Sequence, residues 1–380
     1  MRIIPEQRIT ISLSNILLIL AITLVMVLLW QLRSLVVILM VAVVMAATIA
    51  PAIDRAERLQ MPRWLAVITV YLTLIAIVTG AGLVIGPTVV EQSQRLAVNT
   101  PIYLENLRIQ VENFLVNLNA ARPDLARRLL NTQSLTNWVI GSSQQVLLRS
   151  YGITRGIIGG VFSFILALLI SGYMVAGSQE LVKSLVQLFP SPWDERLAAQ
   201  VAPASQRMGS YIQGRVLVSA ILGVVITLGL RILGLSEFAL ALGVIAGFTN
   251  LIPFLGPVLG AVPALIVAIS QGGLTFLWVL LLFVIIQNLE TYVLDPLLVG
   301  SSVKVYPLYQ LLAVLGGTQV LGIVGAVIVP PWVAGAAVLV ENLYLKPKLA
   351  AEQQAQLAAA PPPPDSSTPV PNHSSPLSNG

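Results

Sequence analysis

The sequence predicts an all-α, polytopic membrane protein with about six transmembrane helices, two broken or re-entrant helical hairpins and an extra-membranous amphipathic helical segment. Of its 380 residues, 56% are hydrophobic and only 10% are charged, against about 25% charged residues in soluble globular proteins. Apolar runs of about 20 residues, the length that crosses a bilayer, recur along the chain. Two longer apolar segments are interrupted by Pro and Gly, which break helices.

Six apolar runs meet the length of a transmembrane helix. The first follows Arg2 and Arg8 and so resembles a signal peptide. Its full spanning length, and the absence of a small-residue cleavage site before the next run, predict a retained anchor instead. The six predicted spans are residues 13–32, 34–53, 64–86, 154–176, 208–232 and 274–293.

Basic residues near the span ends predict the orientation. Arg55, Arg58 and Arg63 lie between the second and third spans, whereas only Arg33 lies between the first and second. Because short cytoplasmic loops carry the excess of Lys and Arg, we expect a cytoplasmic N-terminus. The same alternation leaves the C-terminus in the cytoplasm.

Four regions follow from this topology. Residues 1–86 hold the N-terminal transmembrane helices, 87–150 an extracytoplasmic helical segment, and 151–348 a transmembrane transport core. Residues 349–380 end in a Pro- and Ser-rich stretch and are expected to form a disordered cytoplasmic tail.

The extracytoplasmic segment carries apolar residues at helical spacing. Polar residues stand between them, so the pattern predicts an amphipathic helix. Such a helix packs on its neighbours or lies on the lipid surface; the alternative is a vestibule that captures substrate. The apolar residues are Tyr103, Leu107, Val111, Phe114 and Leu118.

The first interrupted segment, residues 237–271, is broken by Pro253, Gly256 and Pro257. A helix from residue 237 to 252 would be about 24 Å long, short of a hydrocarbon core roughly 30 Å thick. The sequence therefore predicts a re-entrant hairpin whose two half helices meet near residues 250–257. Unwound backbone at this depth must be buried in protein or line a wet cavity. The alternative is a Pro-kinked spanning helix.

The second interrupted segment, residues 307–345, contains four glycines near its centre and a later Pro-Pro pair. We expect a second hairpin, entering from the opposite face of the membrane, although a kinked helix is again the alternative. Paired broken helices of this kind bind solutes near the bilayer midplane. The residues concerned are Gly316, Gly317, Gly322, Gly325, Pro330 and Pro331.

Few ionisable or polar residues lie at membrane depth, where they are costly and mark functional sites. Glu290 shares a helical face with Gln287 and is a candidate for binding a proton or cation; otherwise it is an interfacial carboxylate paired with Lys304 or another base. Arg215 either faces a solute pathway or extends to the interface. Asn250 bonds to freed backbone or to a hydroxylated solute. Asp295, before Pro296, is interpreted as a turn or cap residue.

The C-terminal half resembles the autoinducer-2 exporter family, also described as PerM-like permeases. The matching stretches are GFTNLIPFLGPVLGAVPAL, QNLETYVLDPLLVG, YPLYQLLAVLGG and LGIVGAVIVP. The resemblance implies an oligomeric inner-membrane transporter, with members linked to autoinducer-2 export or to exchange of sodium or lithium for protons. By motif, Ile252, Pro253, Gly256 and Pro257 match one characteristic element of the family, and Gln287 and Glu290 match a second; we expect both elements to line the substrate pathway, with Glu290 as the ion-coupling residue. Asn250 stands where the family often has an acidic residue.

Other functional classes are less compatible with the sequence. There is no Cys, and the one His, His373, lies in the tail, so no Ser–His pair or intramembrane metal site is expected. The absence of a phosphate-binding loop favours secondary transport without a cofactor. Scattered Lys and Arg do not indicate nucleic-acid binding. The expected partners are the bilayer, a small hydrophilic solute or monovalent cation, and further copies of the chain; a non-transporting membrane scaffold is the remaining alternative.

Overall fold

A computed structural model describes residues 13–121, 162–300 and 306–359, and within these ranges the chain is helical without a β-strand. This confirms the predicted all-α class. The helices are α1 (Leu13–Gln31), α2 (Arg33–Glu57), α3 (Arg63–Ala121), α4 (Phe162–Ala176), α5 (Ser178–Val186), α6 (Trp193–Ile232), α7 (Ala239–Thr249), α8 (Leu255–Gln271), α9 (Gly273–Leu289), α10 (Pro307–Val340) and α11 (Lys346–Ala359).

Five of the described helical segments are long and apolar enough to cross a membrane. They are α2, α3 over Arg63–Tyr103, α6, the continuous segment Gly273–Gly300, and a fifth that begins at Pro307. The pair α4 and α5, bent by 82°, makes a sixth if it counts as one span. By length and composition this agrees with the expectation of about six spans, although the segment that begins at Pro307 reverses direction at Gly322.

The chain divides into a large unit through Val338 and a small unit from Leu339 onwards. In the small unit, Lys346–Ala359 is helical, which corrects the predicted start of the disordered tail at residue 349. The reason is composition, since KPKLAAEQQAQLAA is rich in strong helix formers. Lys348 and Glu352 also pair across one turn at 3.8 Å. Residues 360–380 lie outside the described part.

The predicted boundary at residue 86 is not marked by any break, because α3 continues through Pro87 and Pro101 to Ala121. Of the predicted amphipathic set, only the Tyr103 side chain is described. Its ring meets Phe238 edge to face at 6.2 Å, which agrees with packing on a neighbouring helix. The side chains of Leu107, Val111, Phe114 and Leu118, and residues 122–150, lie outside the described part.

Helices α7 and α8 form a hairpin, called hairpin 1, with its turn at residues 250–254. The arms are antiparallel and very close: a Cβ built on Gly260 would lie 2.7 Å from the Ala246 Cα, and one on Gly256 would overlap the Thr249 carbonyl oxygen. The break predicted between residues 250 and 257 is confirmed. It yields two short helices, not a kinked span.

The base of hairpin 1, opposite its turn, is bonded to α3. The Gln92 Oε1 accepts a bond of 2.9 Å from the Ala241 backbone N–H, in the first turn of α7. Gln110 Nε2 donates at 2.5 Å to the Ile269 carbonyl, in the last turn of α8. The Ala241 N–H is one of the first-turn donors that lack an intrahelical partner, and the Ile269 carbonyl also accepts from the Gly272 N–H at 3.2 Å. Helix α3 thus adds one side-chain bond to each arm.

Helix α10 is also a hairpin, called hairpin 2, because the chain reverses at Gly322 with φ 66° and ψ −150°. Its arms are residues 307–321 and 323–340. A Cβ on Gly317 would overlap the Gly325 carbonyl oxygen, and a Cβ on Gly325 would overlap the Gly317 carbonyl oxygen. These glycines therefore allow the backbones of the two arms to touch. The second hairpin is thus found, but the reversal is at Gly322 alone. The predicted interruption by Pro330 and Pro331 is wrong, since both lie buried within the second arm.

Helix α6 packs against hairpin 1 and α9 to form the main core. The contact with α7 is close because three glycines meet: a Cβ on Gly247 would lie 3.1 Å from the Gly223 Cα, and one on Gly223 would lie 3.2 Å from the Gly243 carbonyl oxygen. Small residues let helix backbones approach in this way. The apolar core around them includes Val218, Leu222, Ile226, Leu230, Leu242, Ala264, Val267 and Val279.

Candidate functional site

Four polar side chains meet at the turn of hairpin 1, in otherwise apolar surroundings. Arg215 comes from α6, Asn250 from the turn, and Glu290 and Asp295 from the segment after α9; together they are called the polar cluster. Arg215, Asn250 and Glu290 are buried, with exposed fractions of 3%, 2% and 3%. Their burial argues against an Arg215 side chain that extends to the interface and against a hydrated Glu290, whereas the alternative that pairs Glu290 with a base agrees with the contact to Arg215.

Arg215 is the centre of the polar cluster. Its Nη1 lies 3.0 Å from Glu290 Oε1 and 3.3 Å from Asp295 Oδ1, and its Nη2 donates to Asn250 Oδ1 at 3.4 Å. Asn250 Nδ2 in turn donates to Glu290 Oε1 at 3.1 Å. The Asn250 amide thus bridges the ion pair, using its acceptor and one donor. The base that pairs with Glu290 is Arg215.

The backbone conformation after α9 brings the two carboxylates to one face. Residues Glu290–Leu294 and Pro296–Gly300 are π-helical, and the Asp295 N–H donates to the Glu290 carbonyl. A π-turn aligns residues five apart, whereas an α-helix would place them on different faces. Pro296 promotes this widening because it cannot donate an α-helical bond and clashes with the preceding turn.

The turn of hairpin 1 satisfies much of its own backbone. The N–H groups of Asn250, Leu251, Ile252, Leu255 and Gly256 all donate to carbonyls within residues 246–253. These N–H groups are therefore used within the turn itself. The Asn250 side chain is the polar side chain that the turn contributes to the polar cluster.

Phe254 closes this turn in a conformation that bulky residues rarely adopt. Its φ is 64° and its ψ is −44°, and the Leu255 N–H donates to the Pro253 carbonyl at 2.7 Å. Together these make a γ-turn with positive φ, which is strained. Local strain of this kind concentrates at functional sites and costs about 1–3 kcal/mol.

A cavity of about 20 Å³, measured as space for the centre of a water molecule, borders the cluster. This is room for roughly one water, far below the several hundred Å³ of a typical small-molecule site. A hydrophilic solute therefore fits only after α6, hairpin 1 or α9 moves. The lining residues are Leu222, Ile226, Ala246, Asn250, Pro257, Phe283, Ile286, Gln287 and Glu290.

Three buried polar atoms on α6 have no hydrogen-bond partner among the described residues: Asp194 Oδ1 in its first turn, and Arg215 Nε and Ser219 Oγ in the part of the helix that carries the polar cluster. Unsatisfied buried donors are costly and rare in native proteins. Arg215 and Ser219 lie four residues apart, so they share one helical face. The Arg215 Nε–H and the Ser219 hydroxyl on this face are therefore available to form further hydrogen bonds beside the ion pairs.

The structure divides the residues predicted for the substrate pathway into three groups. Asn250, Pro257, Gln287 and Glu290 border the cavity, and Arg215 contacts it through its partners. Ile252 faces away and packs against Val314 and Ala326 of hairpin 2, while Pro253 and Gly256 shape the turn. The glycines of hairpin 2 lie apart from the polar cluster: Gly316 and Gly317 border an apolar surface groove, and Gly322 and Gly325 form the reversal.

Three members of the site were not predicted for it from the sequence. Asp295 was interpreted as a turn residue, yet it shares Arg215 with Glu290. Ser219 was not singled out, although its spacing from Arg215 was available. Tyr211, one turn before Arg215, has its hydroxyl bonded by Gln310 Nε2 at 3.0 Å. No sequence signal joins Tyr211 to Gln310, because 99 residues separate them.

Comparison with known proteins identifies the family. The family model described as "AI-2E family transporter" matches residues 17–345. The chain belongs to the AI-2E family of transporters. It is a multi-pass membrane protein of a transport family, as the sequence predicted.

Several relatives of this AI-2E family member carry transport-protein names. YrrI of Bacillus subtilis strain 168 is 38% identical over 159 residues, which cover 42% of this chain and 45% of YrrI. YueF of the same organism is 26% identical over 279 residues, 72% of this chain and 74% of YueF. MT0215 of Mycobacterium tuberculosis strain CDC 1551 is 25% identical over 325 residues, 81% of this chain and 83% of that protein. None of the three names states a substrate.

Proposed function

We propose that this protein is a secondary transporter that exports a small hydrophilic solute through a pathway beside the turn of hairpin 1. Autoinducer-2 is the first solute to test, because the family takes its name from it. The observation that carries the proposal is the buried polar cluster of Arg215, Asn250, Glu290 and Asp295 at the turn of a broken helix.

A charged cluster at this place is expensive for a protein that needs only structural stability. Burying ions removes them from water, and even a well-paired buried ion pair is often no more stabilising than apolar residues of equal volume. Ionisable residues inside membrane proteins therefore mark solute or ion pathways. A broken helix adds polar groups at the same depth, as in many secondary transporters.

Glu290 is the proposed ion-coupling residue of this transporter. Its carboxylate contacts both Arg215 and Asn250, so an ion that binds in the polar cluster and changes these contacts loosens the segment after α9 from the turn of hairpin 1. The cavity beside Glu290 and Gln287 then enlarges. Coupling ion binding to cavity opening is what a secondary transporter requires.

A second function is favoured by one specific observation. Two carboxylates share one arginine, and carboxylates bind both protons and monovalent cations, which favours a sodium (or lithium)/proton antiporter in which the ions themselves are the transported species. In both proposals the protein lies in the bacterial inner membrane, with cytoplasmic termini, as a homo-oligomer. The two proposals differ in whether an organic solute moves.

The test is transport by everted membrane vesicles that contain the wild type, Glu290→Gln, Pro253→Ala or Glu237→Gln. Glu237 is a matched control because it is also a carboxylate paired with an arginine, but an exposed one: its Oε1 lies 3.7 Å from Arg95 Nη1. We measure uptake of labelled autoinducer-2 and, separately, the change in lumenal pH after sodium or lithium is added.

Proton-coupled export predicts autoinducer-2 uptake in the wild type and Glu237→Gln, with at least a tenfold loss in Glu290→Gln and a smaller loss in Pro253→Ala. A sodium-dependent pH response without solute uptake supports the antiporter instead. If the wild type is inactive in both assays, both proposals are contradicted, and the alternative of a non-transporting membrane scaffold is favoured.

A further inference from the structure

The two carboxylates of the polar cluster are not equivalent. Both approach the same atom, Nη1 of Arg215, but the Glu290 side chain is 4% exposed and the Asp295 side chain 40%. Glu290 also accepts the bond from Asn250, whereas Asp295 has Arg215 as its one side-chain partner among the described residues. Glu290 is therefore held in place, and Asp295 is accessible.

Counted over the part of the chain that the structure describes, the charges of the polar cluster do not balance. Arg215 supplies one positive charge, while Glu290 and Asp295 supply two negative charges when both are ionised. One guanidinium cannot neutralise two carboxylates, and an excess charge next to a low-dielectric interior is costly. Among the described residues, the cluster therefore carries one negative charge in excess when both carboxylates are ionised, and a small cation at Asp295 would neutralise it.

We propose that Asp295 is the exchangeable carboxylate of this site and binds one small monovalent cation, the proton included, while Arg215 remains paired with Glu290. This inference rests on the proposed function and adds to it the residue at which the ion enters and leaves. It assigns Glu290 the role of a fixed anchor whose contacts respond to the state of Asp295.

Arg215 has the hydrogen-bonding capacity to follow such an exchange. Its Nε–H is buried and has no partner among the described residues. When a cation neutralises Asp295, the guanidinium is free to turn toward Glu290 and to use Nε with an Nη in a two-bond contact, the strongest arginine–carboxylate geometry. The Arg215 contact with Asn250 then changes, and Asn250 lies in the turn of hairpin 1.

The charged and polar groups near Asp295 come from several elements of the polar cluster. Helix α6 contributes Arg215 and the Tyr211 hydroxyl, and the segment that carries Asp295 contributes Glu290. The turn of hairpin 1 contributes only the Asn250 amide, and hairpin 2 contributes the Gln310 amide that bonds Tyr211. Lys304 lies outside the described residues and is tested directly.

The experiment measures thermal unfolding of the full-length protein in nanodiscs, for the wild type, Asp295→Asn, Glu237→Gln and Lys304→Gln. One series replaces choline chloride with sodium chloride at constant ionic strength; the other lowers the pH without sodium. A cation that binds only the folded protein raises its Tm. The sodium series detects a metal-ion site, and the pH series detects a proton site.

We expect Asp295→Asn to raise the Tm by about 2 °C, because it removes the excess charge. We also expect it to abolish the ion response that the wild type and Glu237→Gln show. A purely structural Asp295 would instead lower the Tm when replaced. The proposal is overturned if Asp295→Asn lowers the Tm or keeps the ion response, or if the Tm of the wild type responds to neither ion. It is also overturned if Lys304→Gln lowers the Tm, because Lys304 would then be the cation that pairs with Asp295.

Failure of this inference is distinguishable from failure of the proposed function. If Asp295→Asn transports in the vesicle assay with wild-type rate and ion dependence, Asp295 is not the exchangeable group, although the protein is a transporter. If the wild type transports nothing but its Tm responds to an ion through Asp295, the ion site is correct and the transport proposal is wrong.

Discussion

Hairpin 1 reverses over residues 250–254 and places Asn250 in a buried charged cluster, whereas hairpin 2 reverses at Gly322 and has no charged residue between 307 and 340. The turn of hairpin 2 is also open, since Val320 and Ile323 beside it are 78% and 75% exposed. Both segments are apolar and rich in Pro and Gly. The comparison shows that a broken helix alone does not make a polar site; a polar residue must lie at the break and find charged partners.

The largest expected effect on stability comes from removing the positive charge of Arg215, which contacts the turn of hairpin 1. Arg215→Gln leaves two carboxylates without their cation, and breaking a buried ion pair in this way costs about 3–5 kcal/mol. We therefore expect a sharp fall in the Tm, measured by intrinsic fluorescence in nanodiscs. Adding Glu290→Gln should recover a large part of the loss, because one of the unpaired charges is removed as well.

This prediction also tests the asymmetry between the hairpins. If Arg215→Gln leaves the Tm unchanged, the turn of hairpin 1 is held by apolar contacts, as in hairpin 2, and the comparison is wrong.

An intermediate effect is expected in hairpin 2, where backbone contact replaces charge. Gly317→Leu would force the arms apart at the Gly325 carbonyl, and overpacking of this kind costs about 1–3 kcal/mol. The adjacent Gly316 has no atom near a built Cβ, so Gly316→Leu is the matched control and should leave the Tm nearly unchanged. Equal Tm values for the two variants would mean that the arms of hairpin 2 are not packed through Gly317.

The smallest effect is expected at the turn of hairpin 1 itself. Phe254→Gly relieves the positive-φ strain, but glycine also adds freedom to the unfolded chain, and the two effects nearly cancel. We expect the free energy of unfolding to change by less than about 1 kcal/mol. Transport by this variant should change more than its Tm, since a relaxed turn no longer fixes Asn250. Phe254→Ala, which keeps the strain and removes the ring, separates loss of the aromatic side chain from loss of strain.

Features set by local sequence could be predicted, and features set by distant contacts could not. Pro253, Gly256 and Pro257 predict the break of hairpin 1 because each acts on its own turn of helix. Arg215 and Glu290 were recognised singly, but nothing in their spacing pairs them, since they come together only when α6 packs on α9. Asp295 was missed for a different reason: α-helical spacing places it on another face from Glu290, and only the π-helical backbone aligns the two.

Hairpin 2 shows the same limit from the opposite direction. Pro330 and Pro331 predict a break, yet both lie in a continuous arm, because flanking helices can satisfy the backbone that a proline frees. The reversal occurs instead at Gly322, whose φ and ψ only glycine adopts readily. Composition could predict that the helix is weak in this segment, but it could not predict at which of the several glycines the chain reverses direction.

The bonds from Gln92 and Gln110 of α3 to the base of hairpin 1 have a mechanical consequence. They join neutral amides to backbone groups, so they are insensitive to pH and to salt. The opposite end of the same hairpin is held by charges. Hairpin 1 is thus attached to α3 by neutral contacts at its base and to α6 by charged contacts at its turn, so a change of pH or salt acts on the turn and leaves the base contacts unchanged.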